Sequence, residues 1–335
     1  MVAMNNELKP PKTLMECIRY FSDPDVCVEF VAAMRWLDGV ILCPWCGGKQ
    51  HSYLKTRRIW KCRDCKKQFS VKAGTIFEDS PVPLDKWLMA VWLVVNCKNG
   101  ISSYEIARDL KVTQKTAWFM LGRIRLALQS GSLAKMGGPV EVDETFVGGK
   151  GKNMHKSRKL RIQNARNEVP NWKSYDLHPG KAIVMGILDR EERKIRATVV
   201  PNVKRATLQK EILAKVKRGA SIYSDEAVAY DSLAQNYIHE TVNHMDEYVR
   251  GKVHTNGLEN FWSLLKRGLN GTYIAVEPFH LFRYVDEQAF RYNNRATKDN
   301  PLDDSDRFML ALSQVAGKRL TYAELTGKVG ETEAF

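Results

Sequence analysis

Apolar residues in the first part of the chain recur three and four apart. Cys17, Ile18 and Phe21, then Val28, Phe30, Val31, Met34 and Leu37, keep that spacing on either side of Asp23-Pro24, which predicts two short helices. A second helical stretch carries the stripe Trp87, Val91, Val94 and Val95 and stops at Asn99-Gly100. Ser102 and Glu105 have the spacing of a capping box for the next helix, and Lys111-Val112 makes a tight turn. Thr113 then caps a longer helix whose stripe is Ala117, Leu121, Ile124 and Leu128. After glycine-rich residues the pattern changes. Val140 to Val147, Ala182 to Leu188, Ile195 to Val200 and Ser221 to Tyr223 read as strands. Helices are predicted from Thr207 to Val216, from Ala227 to Gln235, and predominantly from 255 onward.

This order divides the chain into N-terminal helices (1–40), a cysteine-bearing segment (41–80), an all-α segment (81–130), a linker (131–139), a mixed α/β domain (140–300) and a C-terminal helical tail (301–335). The α/β domain carries a basic insertion at 148–181, and an amphipathic helix is expected from Asp306 to about Leu320.

The chain has 335 residues, enough for two or three domains, and 44% hydrophobic residues, enough for real cores. Its net charge of +14 favours a polyanionic partner, of which nucleic acid is the commonest. There is no apolar run of about 18 residues and no secretory leader pattern, so no membrane association is expected. The seven cysteines are an odd number and argue against a disulfide framework; the expected location is the cytoplasm, with reduced thiols.

Cys43-Pro44-Trp45-Cys46 and Cys62-Arg63-Asp64-Cys65 form two C-x2-C pairs separated by fifteen residues. Each pair can present two thiolates from a tight turn, and two such turns complete a tetrahedral zinc site. Four thiolates leave no open position, so the site is expected to be structural. Residues 43–72 hold nine Lys/Arg against one acid, Asp64, interleaved with Tyr53, Trp60 and Phe69. The aromatics suit the small core of a ribbon, and Arg57, Arg58 and Lys61 are candidates for phosphate contact.

The helices after Ser102 and Thr113 have the spacing of a helix-turn-helix. Gln114, Lys115 and Trp118 lie at the exposed start of the second helix, where a recognition helix meets base edges. An ordinary helical hairpin has the same pattern; the basic ribbon beside it favours the DNA reader.

Three acids stand out. Asp143 follows Val140-Glu141-Val142, Asp225 follows Ile222-Tyr223-Ser224, and Glu259 lies in a predicted helix whose core stripe is Leu258, Phe261, Trp262 and Leu265. Glu259 shares a neighbouring stripe with Asn256, Ser263 and Lys266. Taken alone, Glu259 would read as a solvated helical glutamate beside a lysine. Together, carboxylates at two strand ends and on a later helix can hold a pair of magnesium ions, which take oxygen ligands and can clamp a phosphoryl displacement.

These motifs resemble the bacterial and archaeal insertion-sequence transposases with an ISXO-like DDE domain. The resemblance rests on Cys43-Pro44-x-Cys46, Val142-Asp143-Glu144-Thr145-Phe146-Val147-Gly148-Gly149, Ser224-Asp225-Glu226, His254-Thr255-Asn256-x-x-Glu259-Asn260-Phe261-Trp262-Ser263-x-x-Lys266-Arg267 and Arg283-Tyr284-x-Asp286-Glu287-x-x-Phe290-Arg291-Tyr292-Asn293. It covers residues 14 to 325, with 254–293 its most specific part. It implies a multidomain chain: a zinc ribbon, an all-α helix-turn-helix, and an α/β ribonuclease-H-like catalytic core with a mixed sheet. It further implies that Asp143, Asp225 and Glu259 are the three acids, holding two Mg2+ or Mn2+ ions. Lys266 matches the family's basic residue near substrate DNA, and Arg267 is a phosphate contact beside it. Asn256, one turn from Glu259 on the same face, is a further candidate for the third position. The expected reaction is cleavage at the ends of an insertion sequence and transfer of the freed 3′-OH into target DNA. The partner is double-stranded DNA, bound by a homodimer or larger assembly in a prokaryotic nucleoid. The basic insertion, with Trp172 inside it, reads as a loop ordered by DNA or simply solvated. Competing readings are a non-catalytic DNA-binding regulator, a structure-specific nuclease on the same core and an RNA-processing enzyme.

Overall fold

The computed structural model describes residues 9–129, 134–149, 155–157, 160, 181–225, 230, 233–242, 254–298 and 300–328. The chain forms two compact units, one from residues 1–129 and 294–335, the other from 130–293.

In the first unit, α1 (Leu14–Tyr20) and α2 (Pro24–Arg35) begin where capping chemistry allows. Thr13 accepts from the Glu16 N–H, Asp23 accepts from the Asp25 N–H, and Pro24 occupies the first turn, where its missing donor costs nothing. A three-stranded antiparallel ribbon follows: β1 (His51–Leu54), β2 (Ile59–Cys62) and β3 (Gln68–Phe69). Its small core is aromatic, with Trp60 stacked on Phe69 and edge-on to Trp36. Helices α3 (Leu84–Asn96), α4 (Ser103–Asp109) and α5 (Gln114–Ala127) come next. The Ser102–Glu105 capping box opens α4, Thr113 caps α5, and Lys111 turns the chain between them at φ 51°.

The C-terminal segment packs into this same unit. Helix α9 (Asp304–Ser313) buries Phe308 against Phe21, Phe30 and Trp92. It stops at Ser313, short of the expected Leu320. Ala316 pairs with Thr75, and Gly317, at φ 74°, donates to the Gly74 carbonyl, so the backbone is already committed elsewhere. A short helix, Tyr322–Thr326, follows; with the helices numbered in chain order it is α10.

The second unit is built on a mixed five-stranded sheet of order β6-β5-β4-β7-β8. These strands are β4 (Val140–Val147), β5 (Ala182–Asp189), β6 (Lys194–Val200), β7 (Ser221–Asp225) and β8 (Ile238–Val242). β4, β5 and β6 pair antiparallel, while β7 lies parallel to both β4 and β8. Parallel neighbours need a crossover, and α6 (Arg205–Lys215) lies between β6 and β7 in the chain. Strand alternation sends Val140, Val142, Met185 and Ile187 to one face, against Leu208 and Ile212 of α6. Val184 and Leu188 face the other way, against α7 (Asn256–Arg267) and α8 (Leu281–Asn293).

The sequence pattern did not mark β8. It is a sheet edge with Ile238 more than half exposed, so it lacks a full apolar alternation. Of the helix expected from Ala227 to Gln235, a 3-10 turn is seen at Leu233–Gln235, and 226–229 and 231–232 lie outside the described residues, as does most of the basic insertion with Trp172. Among the described residues no helix is long and apolar enough to cross a membrane.

Candidate functional site

The two C-x2-C turns have the same local form. The residue after each second cysteine, Gly47 or Lys66, takes left-handed backbone, at φ 71° and 62°. That bend brings Cys43 Sγ within 3.6 Å of Cys65 Sγ, and Cys46 Sγ within 3.6 Å of Cys62 Sγ. All four sulfurs lie within 4.8 Å of one another, the one such cluster of metal-ligating groups among the described residues. A zinc ion about 2.3 Å from each of four sulfurs places them roughly 3.8 Å apart, so the cluster fits structural zinc. The N–H groups of Cys65, and of Asp64, aimed at Cys62 hold its thiol down to about 7, while at Cys46 the Gly48 N–H is outweighed by the neighbouring sulfurs, which push the thiol up to about 12. Among the described residues no disulfide forms.

Of the three candidate acids, Asp143 lies on β4 and Glu259 on α7. Asp143 is partly exposed on the face that meets α7. Its cross-strand partner on β5 is Gly186, and a Cβ there would lie 2.8 Å from Leu258 Cδ2 and from the Trp262 indole. The absent side chain lets Trp262 lie against the sheet and donate from Nε1 to Asp143 Oδ2 at 2.8 Å; the Glu144 N–H donates to Oδ1, also at 2.8 Å. One helical turn earlier, the Leu258 N–H donates to Glu141 Oε2 at 3.0 Å. Four residues of helix rise about 6 Å and two residues of strand about 6.6 Å, so these paired contacts lay α7 along β4 in register.

Glu259 sits between those two contacts on the helix and is exposed, as are Asn256, Lys266 and Arg267. On the other side of β4, β7 pairs through Val140 with Ile222 and Glu141 with Tyr223. Extending that register by two residues sets position 225 beside position 143. The side chain of Asp225, and all of Glu226, lie outside the described residues. Glu144 is on the opposite sheet face, where the Tyr230 hydroxyl donates to it.

The remaining candidates are all in the first unit. Arg57 is exposed and donates to Gln68 at 3.2 Å. Arg58 is paired with Asp25 at 2.7 Å, and its guanidinium holds the Asp25 carboxyl below its usual range. Lys61 is exposed. Gln114 donates to Ser103 Oγ at 2.9 Å. The Lys115 ammonium lies 4.8 Å from the ring centre of Tyr322, which also meets Trp118 edge-on. The α10 residue Tyr322 gave no sequence signal because its neighbours are distant in the chain.

Sequence reasoning also missed Glu141, Arg190 and His254 as a group. The available signal was Glu141 itself, an acid between two valines in a strand where all three are fully buried.

Residues 135–293 match the ISXO2-like transposase domain, and residues 22–68 match the transposase zinc-ribbon domain. A Halobacterium salinarum protein described as an uncharacterized protein in transposable element ISH50 is 30% identical over 268 residues, 76% of this chain and 85% of its own length. An uncharacterized transposase-like protein of Haemophilus influenzae is 34% identical over 106 residues, 31% of this chain and 85% of its own.

Proposed function

This chain belongs to the transposase family marked by the ISXO2-like domain, and from that premise we propose that it is a DDE transposase acting on the ends of an insertion sequence. In this reading the second unit is a ribonuclease-H-like core, and Asp143, Asp225 and Glu259 are its three acids. The observation that supports it is the seating of α7 on β4 through the Trp262–Asp143 hydrogen bond, with Glu259 three residues before Trp262 on that helix. Positions 143 and 225 share neighbouring parallel strands.

The donor set is made of carboxylates, and Asp143 is partly open to solvent. Hard oxygen donors of this kind fit magnesium or manganese. Asp143, Asp225 and Glu259 would hold the ions, with Asn256 a further contributor; when bound, they lower the pKa of a water and stabilise charge on the phosphoryl oxygens. Trp262 orients the Asp143 carboxylate. Lys266 and Arg267 hold DNA phosphates by charge. Water cleaves a phosphodiester at the element end and frees a 3′-OH, which then attacks a phosphodiester of target DNA. No protein side chain becomes covalently attached.

We read α4 and α5 as a helix-turn-helix presenting Gln114, Lys115 and Trp118 to double-stranded DNA, with Arg57, Arg58 and Lys61 of the ribbon on phosphates. Two ends must be processed together, so the working form is a dimer or larger assembly on DNA. The test is incubation with the element-end duplex and magnesium, wild type against Asp143→Asn. The variant is expected to bind and neither nick nor join. Wild-type cleavage without joining would instead favour a nuclease, and binding without either would favour a regulator.

A further inference from the structure

Arg190 stands in the turn between β5 and β6, and its guanidinium reaches three other segments. Nε donates to Glu141 Oε1 on β4 at 2.8 Å. Nη2 reaches His254, both the carbonyl oxygen and Nδ1, the latter at 2.9 Å. The guanidinium carbon lies 4.3 Å from the ring centre of Tyr223 on β7. The same His254 Nδ1 lies 3.5 Å from Glu141 Oε1, so the imidazole, the guanidinium and the carboxylate form one group.

Glu141 is the other half of this arrangement. It is 1% exposed, and a carboxylate so buried needs a cation and hydrogen bonds. Arg190 supplies the first, and the Leu258 N–H at 3.0 Å supplies one of the second. Thr255, at the N-cap of α7, makes no side-chain cap hydrogen bond. The strand carboxylate therefore satisfies a helix N–H that a local cap would otherwise take, at the end of the helix where negative charge is favoured. Gly257 makes the approach possible: a Cβ there would lie 2.3 Å from Leu188 Cδ2 and 2.8 Å from Glu141 Oε2.

We infer that Arg190 and Glu141 are positioning residues that fix the start and rotation of α7, and so the direction in which Glu259 is presented. Residue 258 is held by Glu141, and residue 259 follows about 100° around the helix. A buried ion pair is a poor source of net stability; this one instead ties the β5–β6 turn, β4, β7 and the start of α7 at one point. The inference rests on the reading of Glu259 as the third acid.

The experiment uses the full-length protein, zinc-loaded, as wild type, Arg190→Met, Arg190→Lys and the double variant Arg190→Met/Glu141→Leu. Three quantities are read: Mn2+ affinity by electron paramagnetic resonance, amide exchange across residues 254–262, and thermal stability. Arg190→Met is expected to weaken Mn2+ binding about 10- to 100-fold and to speed exchange at the start of α7. Arg190→Lys should fall between it and wild type, because an ammonium cannot span the same partners. The double variant should regain stability, since no buried charge is left unpaired, without regaining Mn2+ affinity. Affinity that returns together with stability assigns the pair a purely structural role and overturns the inference. Wild-type binding that is indifferent to Asp143→Asn and Glu259→Gln contradicts the reading of the acids themselves. Binding that depends on both acids but is unchanged in Arg190→Met contradicts only the positioning role.

Discussion

The indole N–H of Trp262 on α7 and the carboxylate of Asp143 on β4 are joined by a hydrogen bond of 2.8 Å. Through it a helix side chain reaches the first candidate acid. A hydrogen bond of this kind fixes the rotamer of the carboxylate and occupies one of its acceptor positions.

Trp262→Phe removes the donor and the six-membered ring of the indole that lies over Gly186. The lost hydrogen bond and the gap left by the smaller side chain are expected to cost about 1–3 kcal/mol in stability, with metal-dependent cleavage lowered roughly 10- to 100-fold. Binding to element-end DNA, measured by fluorescence anisotropy, should not change.

Gly186→Ala tests the close approach itself. The added Cβ would meet both Leu258 and the Trp262 ring at 2.8 Å, so α7 must lift from the sheet. Overpacking of this kind costs about 1–3 kcal/mol, and thermal unfolding measures it. The same change at Gly219, whose Cβ position is open but whose φ is 83°, should cost through backbone strain alone and leave cleavage by the folded protein intact.

Zinc removal should act on the ribbon alone. Its apolar core is little more than Trp60, Phe69 and Trp36, so metal binding supplies much of its folding energy. A strong chelator is expected to expose residues 43–69 to protease and abolish DNA binding, while the sheet of 140–293 keeps its melting transition. Cys62→Ser should do the same without chelator.

The α4 cap predicts a pH effect. The Ser102 N–H, and its hydroxyl, hold the Glu105 carboxyl below the usual glutamate range. A depressed pKa means that the cap's charge contribution is fully present above the unfolded value of about 4.3. It is lost as pH falls through the lower folded value. Glu105 is partly exposed, so the contribution is about 0.3–0.5 kcal/mol. Glu105→Gln keeps the capping geometry and should remove this part of the acid-side slope in a stability titration.

Local chemistry made part of this molecule legible in the sequence. The Ser102–Glu105 box, the Thr113 cap and the cysteine turns are all set by residues within a few positions of one another, and the structure shows each. The stripe of Leu258, Phe261, Trp262 and Leu265 is likewise buried. What escaped depends on contacts across the fold. Glu141 looks like a fault in an apolar strand until α7 is placed over it. Arg190 looks like a polar turn residue until Glu141, His254 and Tyr223 surround it. The end of α9 at Ser313 depends on Thr75 and Gly74, more than two hundred residues away. Tyr322 acquires its place by packing on Lys115, Trp118 and Phe119.

The central claim is that Asp143, Asp225 and Glu259 hold ions together. Anomalous diffraction from crystals of the protein bound to an element-end duplex and soaked in Mn2+ tests it most directly. Peaks within about 2.0–2.2 Å of carboxylate oxygens from all three residues, absent in Asp143→Asn crystals, are the predicted result. Manganese bound elsewhere, or carboxylates too far apart to share an ion when DNA is present, would contradict it.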